Sequence, residues 1–135
     1  MAAQKITAYL WCNGNAEEAA TFYTHIFADS RITRVSRWGE GGPAPAGSVM
    51  VVAFELGGQA FLALNGGPEF PFTPAISLLV SCETQAELDR TWDQLLAGGG
   101  QPNRCGWLVD RFGLSWQVVP ADLGRLMTDT DPARA

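Results

Sequence analysis

Ile6-Thr7-Ala8-Tyr9-Leu10-Trp11-Cys12 is answered about seventy residues later by Ile76-Ser77-Leu78-Leu79-Val80-Ser81-Cys82. Both runs are strand-like and end in cysteine, and each is followed, after a short polar break, by an amphipathic helix pattern. In the first copy that pattern is Ala19, Phe22, Tyr23, Ile26 and Phe27; in the second it is Leu88, Trp92, Leu95 and Leu96. Two copies of one supersecondary unit tend to face each other across a pseudo-twofold axis. The concave surface between them is where a ligand is expected.

Working outward, Asn15 with Glu18 and Thr84 with Glu87 have the spacing of capping boxes, in which cap and carboxylate satisfy unpaired backbone donors. The second helix stops at Gly98-Gly99-Gly100. Three strands are expected after the first helix, at roughly 31–38, 48–56 and 59–65. The Gly- and Pro-rich stretch 39–47 separates the first two, and Gly57-Gly58 makes a hairpin turn between the others. After the second helix, strands are expected near 102–105, 107–110 and 114–119, with a turn at Phe112-Gly113. Residues 65–74 connect the halves, and a last helical turn at about 121–127 leads into a frayed end. The expectation is one α+β domain over residues 1–135, built from two βαβββ modules at about 5–65 and about 75–120.

Composition bounds the function. A 135-residue chain with 47% hydrophobic and 17% charged residues is long enough to bury a core without disulfides. No apolar run approaches the roughly 18 residues of a membrane span. Met1-Ala2-Ala3-Gln4-Lys5 leads into a strand without the basic-then-apolar pattern of a secretory signal, so a cytoplasmic location and no membrane partner are expected. A net charge of -5 with nine scattered Lys and Arg works against nucleic-acid binding. Cys12, Cys82 and Cys105 show no CxxC or zinc-like spacing and read as buried free thiols; a redox pair between Cys12 and Cys82, which end equivalent strands, is the alternative.

The tandem modules look like the vicinal oxygen chelate superfamily, which includes glyoxalase I, extradiol dioxygenases and bleomycin-resistance proteins. The segment Cys105-Gly106-Trp107-Leu108-Val109-Asp110-Arg111-Phe112-Gly113-Leu114-Ser115-Trp116-Gln117-Val118-Val119-Pro120 resembles the PhnB-like branch, which carries the label 3-demethylubiquinone-9 3-methyltransferase-like. Ile6 to Trp11, the Asn-Ala-Glu-Glu-Ala run at 15–19 and Phe22-Tyr23 add to the likeness, which extends over most of residues 5–127. It implies a cupped mixed sheet of glyoxalase/bleomycin-resistance type, a homodimer, and relatives that continue past Ala135.

The superfamily's metal enzymes place His, Gln or Glu ligands on the first and fourth strand of each module. Carried over, those positions fall near Thr7, near Leu62 or Ala63, at Ser77 and at Gln117. That set lacks the imidazole, carboxylate or thiolate donors a divalent metal needs, so no metal and no cofactor are expected. His25, the single histidine, lies on the first helix and reads as an ordinary helix residue. Methyl transfer is also disfavoured: a nucleoside cofactor calls for a Gly-rich strand-to-helix turn, whereas 39–47 joins two strands and 98–100 follows a helix.

Strand alternation assigns Ile6, Ala8, Leu10 and Cys12, with Ile76, Leu78, Val80 and Cys82, to the helix-facing sides. The opposite faces then carry Thr7, Tyr9 and Trp11, and Ser77, Leu79 and Ser81. Ser115 and Gln117 join them from the last strand, with Phe61 and Asn65 as candidates whose register could slip by one. The candidate ligand-binding set is therefore Thr7, Tyr9, Trp11, Ser77, Ser81, Ser115 and Gln117; the alternative is that these residues fill the sheet or a dimer interface. Aromatic walls with hydroxyl and amide groups suit a partly apolar small organic ligand. Trp38, Trp107 and Trp116 read as core or interface. Glu55, Glu69, Asp110 and Arg111 are the charged groups expected near the mouth, with Asp110 stabilising its turn. No nucleophile-His pair is available, so the leading expectation is a metal-free binding protein. The alternative is a metal-independent isomerase, lyase or transferase using a carboxylate.

Overall fold

The computed structural model describes residues 4–122. Its elements are β1 (Ala8–Cys12), α1 (Ala16–Ile26), β2 (Arg31–Arg37), β3 (Val49–Leu56), β4 (Gln59–Asn65), β5 (Ser77–Cys82), α2 (Gln85–Leu96), β6 (Gln101–Pro102), β7 (Trp107–Val109) and β8 (Ser115–Pro120). They fall into two compact units, Met1–Pro71 and Phe72–Ala135. Each unit holds a four-stranded mixed sheet of the same topology, β1-β4-β3-β2 and β5-β8-β7-β6. In both, the first and fourth strands run parallel while the remaining neighbours are antiparallel. The expected α+β fold of tandem βαβββ modules is therefore present. The expected helix at about 121–127 lies largely outside the described residues, and no helix among the described residues is long and apolar enough to cross a membrane.

Each helix covers one face of its own sheet. Ala16, Ala19, Ala20 and Tyr23 recur at helical spacing and are buried. The three alanines let α1 sit close to β3 and β4, where Tyr23 packs with the buried Val52, Phe54, Phe61 and Ala63. Phe54 stacks on Phe61 at 5.5 Å, and Tyr23 lies 6.4 Å from Phe54. In the second unit Thr91 and Leu95 of α2 meet a core of Leu108, Trp116 and Val118. Ile6 and Ile76, expected on strands, precede them and are 88% and 74% exposed, because the ladders begin at Ala8 with Phe61 and at Ser77 with Ser115.

The turns separate local from distant control. Gly57 and Gly58 have φ of 57° and 83°, the paired positive values of a two-residue turn whose twist matches β3 and β4. Between β7 and β8 a side chain does the work. The buried Asp110 carboxylate accepts from Phe112 N at 2.8 Å and Leu114 N at 3.1 Å through Oδ1, and from Trp116 Nε1 at 2.8 Å through Oδ2. The expected turn role of Asp110 holds and extends into the core.

The two expected capping boxes differ in outcome. Thr84 accepts from Glu87 N at 3.1 Å, while the Glu87 carboxylate reaches back to Glu83 N at 2.7 Å. Asn15 makes no side-chain cap bond. The first amide of α1, Ala16 N, donates instead to Asn65 Oδ1 at 2.8 Å, supplied by the end of β4.

Candidate functional site

With one face of each sheet under its helix, ladder register decides what the open face displays. In the first sheet Tyr9 pairs with Leu62 and Trp11 with Leu64, so these four share the open face. Phe61 and Asn65 pair with Ala8 and Cys12 and belong to the helix side, which corrects their candidacy as lining residues. Phe61 is core, and Asn65 also donates from Nδ2 to Val49 O at 3.1 Å. The register also resolves the fourth-strand position: Leu62, not Ala63, stands beside Tyr9 on the open face.

Tyr9 is 53% exposed, and Thr7 precedes β1 and is half-buried. Trp11 is pinned by the connector. Its Nε1 donates to Gly67 O at 3.0 Å, its ring meets Phe70 edge-on at 4.8 Å, and Gly66 lies so close that a Cβ would sit 2.4 Å from the indole. Only glycine permits that approach.

In the second sheet Ser77 pairs with Ser115, Leu79 with Gln117 and Ser81 with Val119, while Trp107 pairs with Gln117 from the other side. The structure thus brings Ser77, Ser81, Ser115 and Gln117 to one face. Gln117 Nε2 donates to Ser77 Oγ at 3.1 Å. Ser81 and Leu79 are exposed. Ser115 is only 1% exposed, and its Oγ has no hydrogen-bond partner among the described residues. An unmet buried hydroxyl carries a desolvation cost.

The charged groups are mostly engaged. Glu55 pairs across the strand with Arg31 at 3.3 Å, and the Arg111 guanidinium lies 4.8 Å over the Phe112 ring. Asp110 is spent on its turn. His25 sits exposed on α1, its Nδ1 2.7 Å from the Thr21 carbonyl. Burial, reinforced by the Glu87 charge, raises the Cys82 thiol above its ordinary value, with Thr91 and Arg90 drawing it partly back. Cys12 is likewise buried, whereas Cys105, expected buried, is exposed on a positive-φ turn. Trp116 is core as expected; Trp38 is half-buried and lines a cavity of about 550 Å³ beside the amino end of α1.

The four positions that the resemblance marks as ligand positions hold hydroxyl, alkyl, hydroxyl and amide groups at Thr7, Leu62, Ser77 and Gln117. None is an imidazole, carboxylate or thiolate, and the Gln117 amide is already turned to Ser77. Among the described residues no three His, Cys, Asp or Glu side chains gather as a metal-holding group. Those four positions do not offer the donor set of a catalytic divalent metal.

Comparison with known proteins accords with this architecture. The PhnB protein from Bacillus cereus is 40% identical, superimposes with a TM-score of 0.78, and covers 86% of this chain and 99% of its own. Protein PA1353 from Pseudomonas aeruginosa is 26% identical at a TM-score of 0.65, covering 87% and 97%. The fosfomycin resistance protein FosX from Listeria monocytogenes, in a complex with Mn(II) and a dihydroxypropylphosphonic acid, shares the fold at 15% identity and a TM-score of 0.62, covering 90% and 94%. No curated protein matches the sequence. The family model described as 3-demethylubiquinone-9 3-methyltransferase matches residues 4–119, and the chain belongs to that PhnB-like family, on the glyoxalase/bleomycin-resistance fold.

Proposed function

We propose that this chain is a metal-free, cytoplasmic protein that binds a small organic molecule, with the open sheet faces as its contact surfaces. The observation that carries the reading is the hydrogen-bonded Gln117–Ser77 pair on the open face of the second sheet, with the Ser115 hydroxyl unmet beside it. Gln117 keeps an amide oxygen and Ser77 a hydroxyl proton with which to orient a polar group, while Leu79 supplies apolar area. Tyr9 and Trp11 add aromatic surface on the first sheet, Thr7 and Ser81 further hydroxyls. A sequestering role is supported by the engagement of Asp110 and Glu55, two of the three carboxylates expected near the mouth. The methyltransferase name of the family carries little weight for this chain, because its glycines are not gathered between a strand and a helix. We further propose a twofold homodimer, the commonest assembly of small domains.

Native mass spectrometry of protein purified without added ligand, followed by denaturation, tests this reading. The expected result is a dimer that releases an organic molecule and no stoichiometric metal. Ser77→Ala with Gln117→Ala is expected to abolish co-purification of that molecule; retention by the double variant, or a bound transition metal, overturns the assignment.

A further inference from the structure

Strict alternation along β2 would send Arg31, Thr33 and Val35 to one face and Ile32 and Arg34 to the other. The ladder breaks this pattern. Arg31 pairs with Glu55 and Ile32 with Phe54, but the next pair is Arg34 with Ala53, so Thr33 is an extra residue in the strand. The Thr33 hydroxyl donates to the Ala53 carbonyl at 3.1 Å and ties this bulge to β3. A bulge re-aims the side chains that follow it. Here it brings Val35 to the helix side, opposite the buried Val52, and moves Arg34 to the open face.

Pairing then sets Arg34 in line with the candidate contact residues. Arg34 pairs with Ala53, Ala53 with Leu62 and Leu62 with Tyr9, one row across all four strands. With neighbouring strands about 4.8 Å apart, the row runs about 14 Å from an arginine to a tyrosine. Ser36, Val51, Leu64 and Trp11 form the adjoining row, so the floor between the two ends is alkyl. The internal repeat provides a contrast. A row on the open face of the second sheet, Gln101, Val109, Ser115 and Ser77, starts from a neutral amide instead.

The three arginines of β2 are used differently. Arg31 is paired with Glu55 at 3.3 Å, and Arg37 Nη1 donates to Gly47 O at 3.1 Å. Arg34 is exposed and makes no hydrogen bond or ion pair with a described residue. A guanidinium presents a planar, doubly donating edge that matches a carboxylate. We propose that Arg34 anchors the carboxylate of a small organic acid whose apolar body lies along the row toward Tyr9, and so sets the ligand charge that this face accepts. The proposal rests on the open-face reading above and narrows its ligand to organic anions.

Hexanoate and 3-phenylpropionate are the probes, each set against its neutral carboxamide and read by calorimetry and by the backbone amide resonances of Tyr9, Ala53 and Leu62. Each acid is expected to bind saturably, roughly tenfold tighter than its carboxamide, and to shift those resonances. Arg34→Gln should abolish the preference, while Arg34→Lys should retain part of it, because the charge persists without the planar fork. Equal binding of acid and carboxamide with those resonances shifted, or a preference unchanged in Arg34→Gln, overturns the assignment of Arg34 and leaves the open face as a contact surface. No shift at Tyr9, Ala53 or Leu62 with any probe at millimolar concentration overturns that reading and the proposal with it.

Discussion

In the first unit the amino end of α1 is closed by Asn65, 49 residues from Ala16 along the chain, whereas in the second α2 is closed by Thr84, its own cap residue. Register explains the exchange. Cys12 pairs with Asn65 and Cys82 with Pro120, so the strand end that supplies an amide in one unit supplies proline in the other, and α2 has to cap itself. The hairpins reverse this arrangement. The β3–β4 turn rests on the backbone freedom of Gly57-Gly58, while the β7–β8 turn rests on a carboxylate that ties two turn amides to a core tryptophan. One topology is thus closed by two different divisions of labour between backbone and side chain.

The greatest effect is expected where one side chain satisfies most donors. Asp110→Ala orphans two backbone amides and the Trp116 indole, and should cost about 3–4 kcal/mol in urea unfolding. A loss below about 1 kcal/mol would mean that the second hairpin is as backbone-driven as the first. Next comes the cap exchange. Asn65→Ala should cost about 2 kcal/mol, since it frees both Ala16 N and Val49 O, and Thr84→Ala about 1 kcal/mol. Equal losses in the two variants would erase the distinction between distant and local capping.

The smallest effect concerns the cysteines. Iodoacetamide at mildly alkaline pH should alkylate Cys105 first, while Cys82 stays protected in the folded protein, because burial excludes reagent and disfavours the thiolate. The sign for stability follows. The folded thiol titrates above its ordinary value of 9.0, so its contribution is complete below that pH and is lost as pH rises toward the raised value. Cys82→Ala should flatten that alkaline decline; an unchanged pH profile would remove Cys82 from the comparison.

Much of the fold was legible in residue order. The repeated strand-helix pattern, the Gly57-Gly58 hairpin and the Asp110 turn are written in short segments whose preferences act over a few residues. The candidate site was legible to the extent that alternation holds along one strand: Tyr9, Trp11, Ser77, Ser81 and Gln117 occupy the faces expected of them. Phe61 and Asn65 were misplaced because the facing of β4 depends on its pairing with β1, about fifty residues earlier, and a one-residue slip inverts every side chain. Asn15 had the spacing of a cap and lost the role to Asn65, which no local pattern announces.

Tertiary contact alone settled the matters that join distant segments. These are the burial of Ser115, the bond between Gln117 and Ser77, the bond from the Trp11 indole to Gly67, and the cavity between the β2–β3 connection and α1. Local propensity sets which elements form, since it needs only neighbours along the chain. Register and loop placement set what those elements present, because they arise only when the sheet has closed.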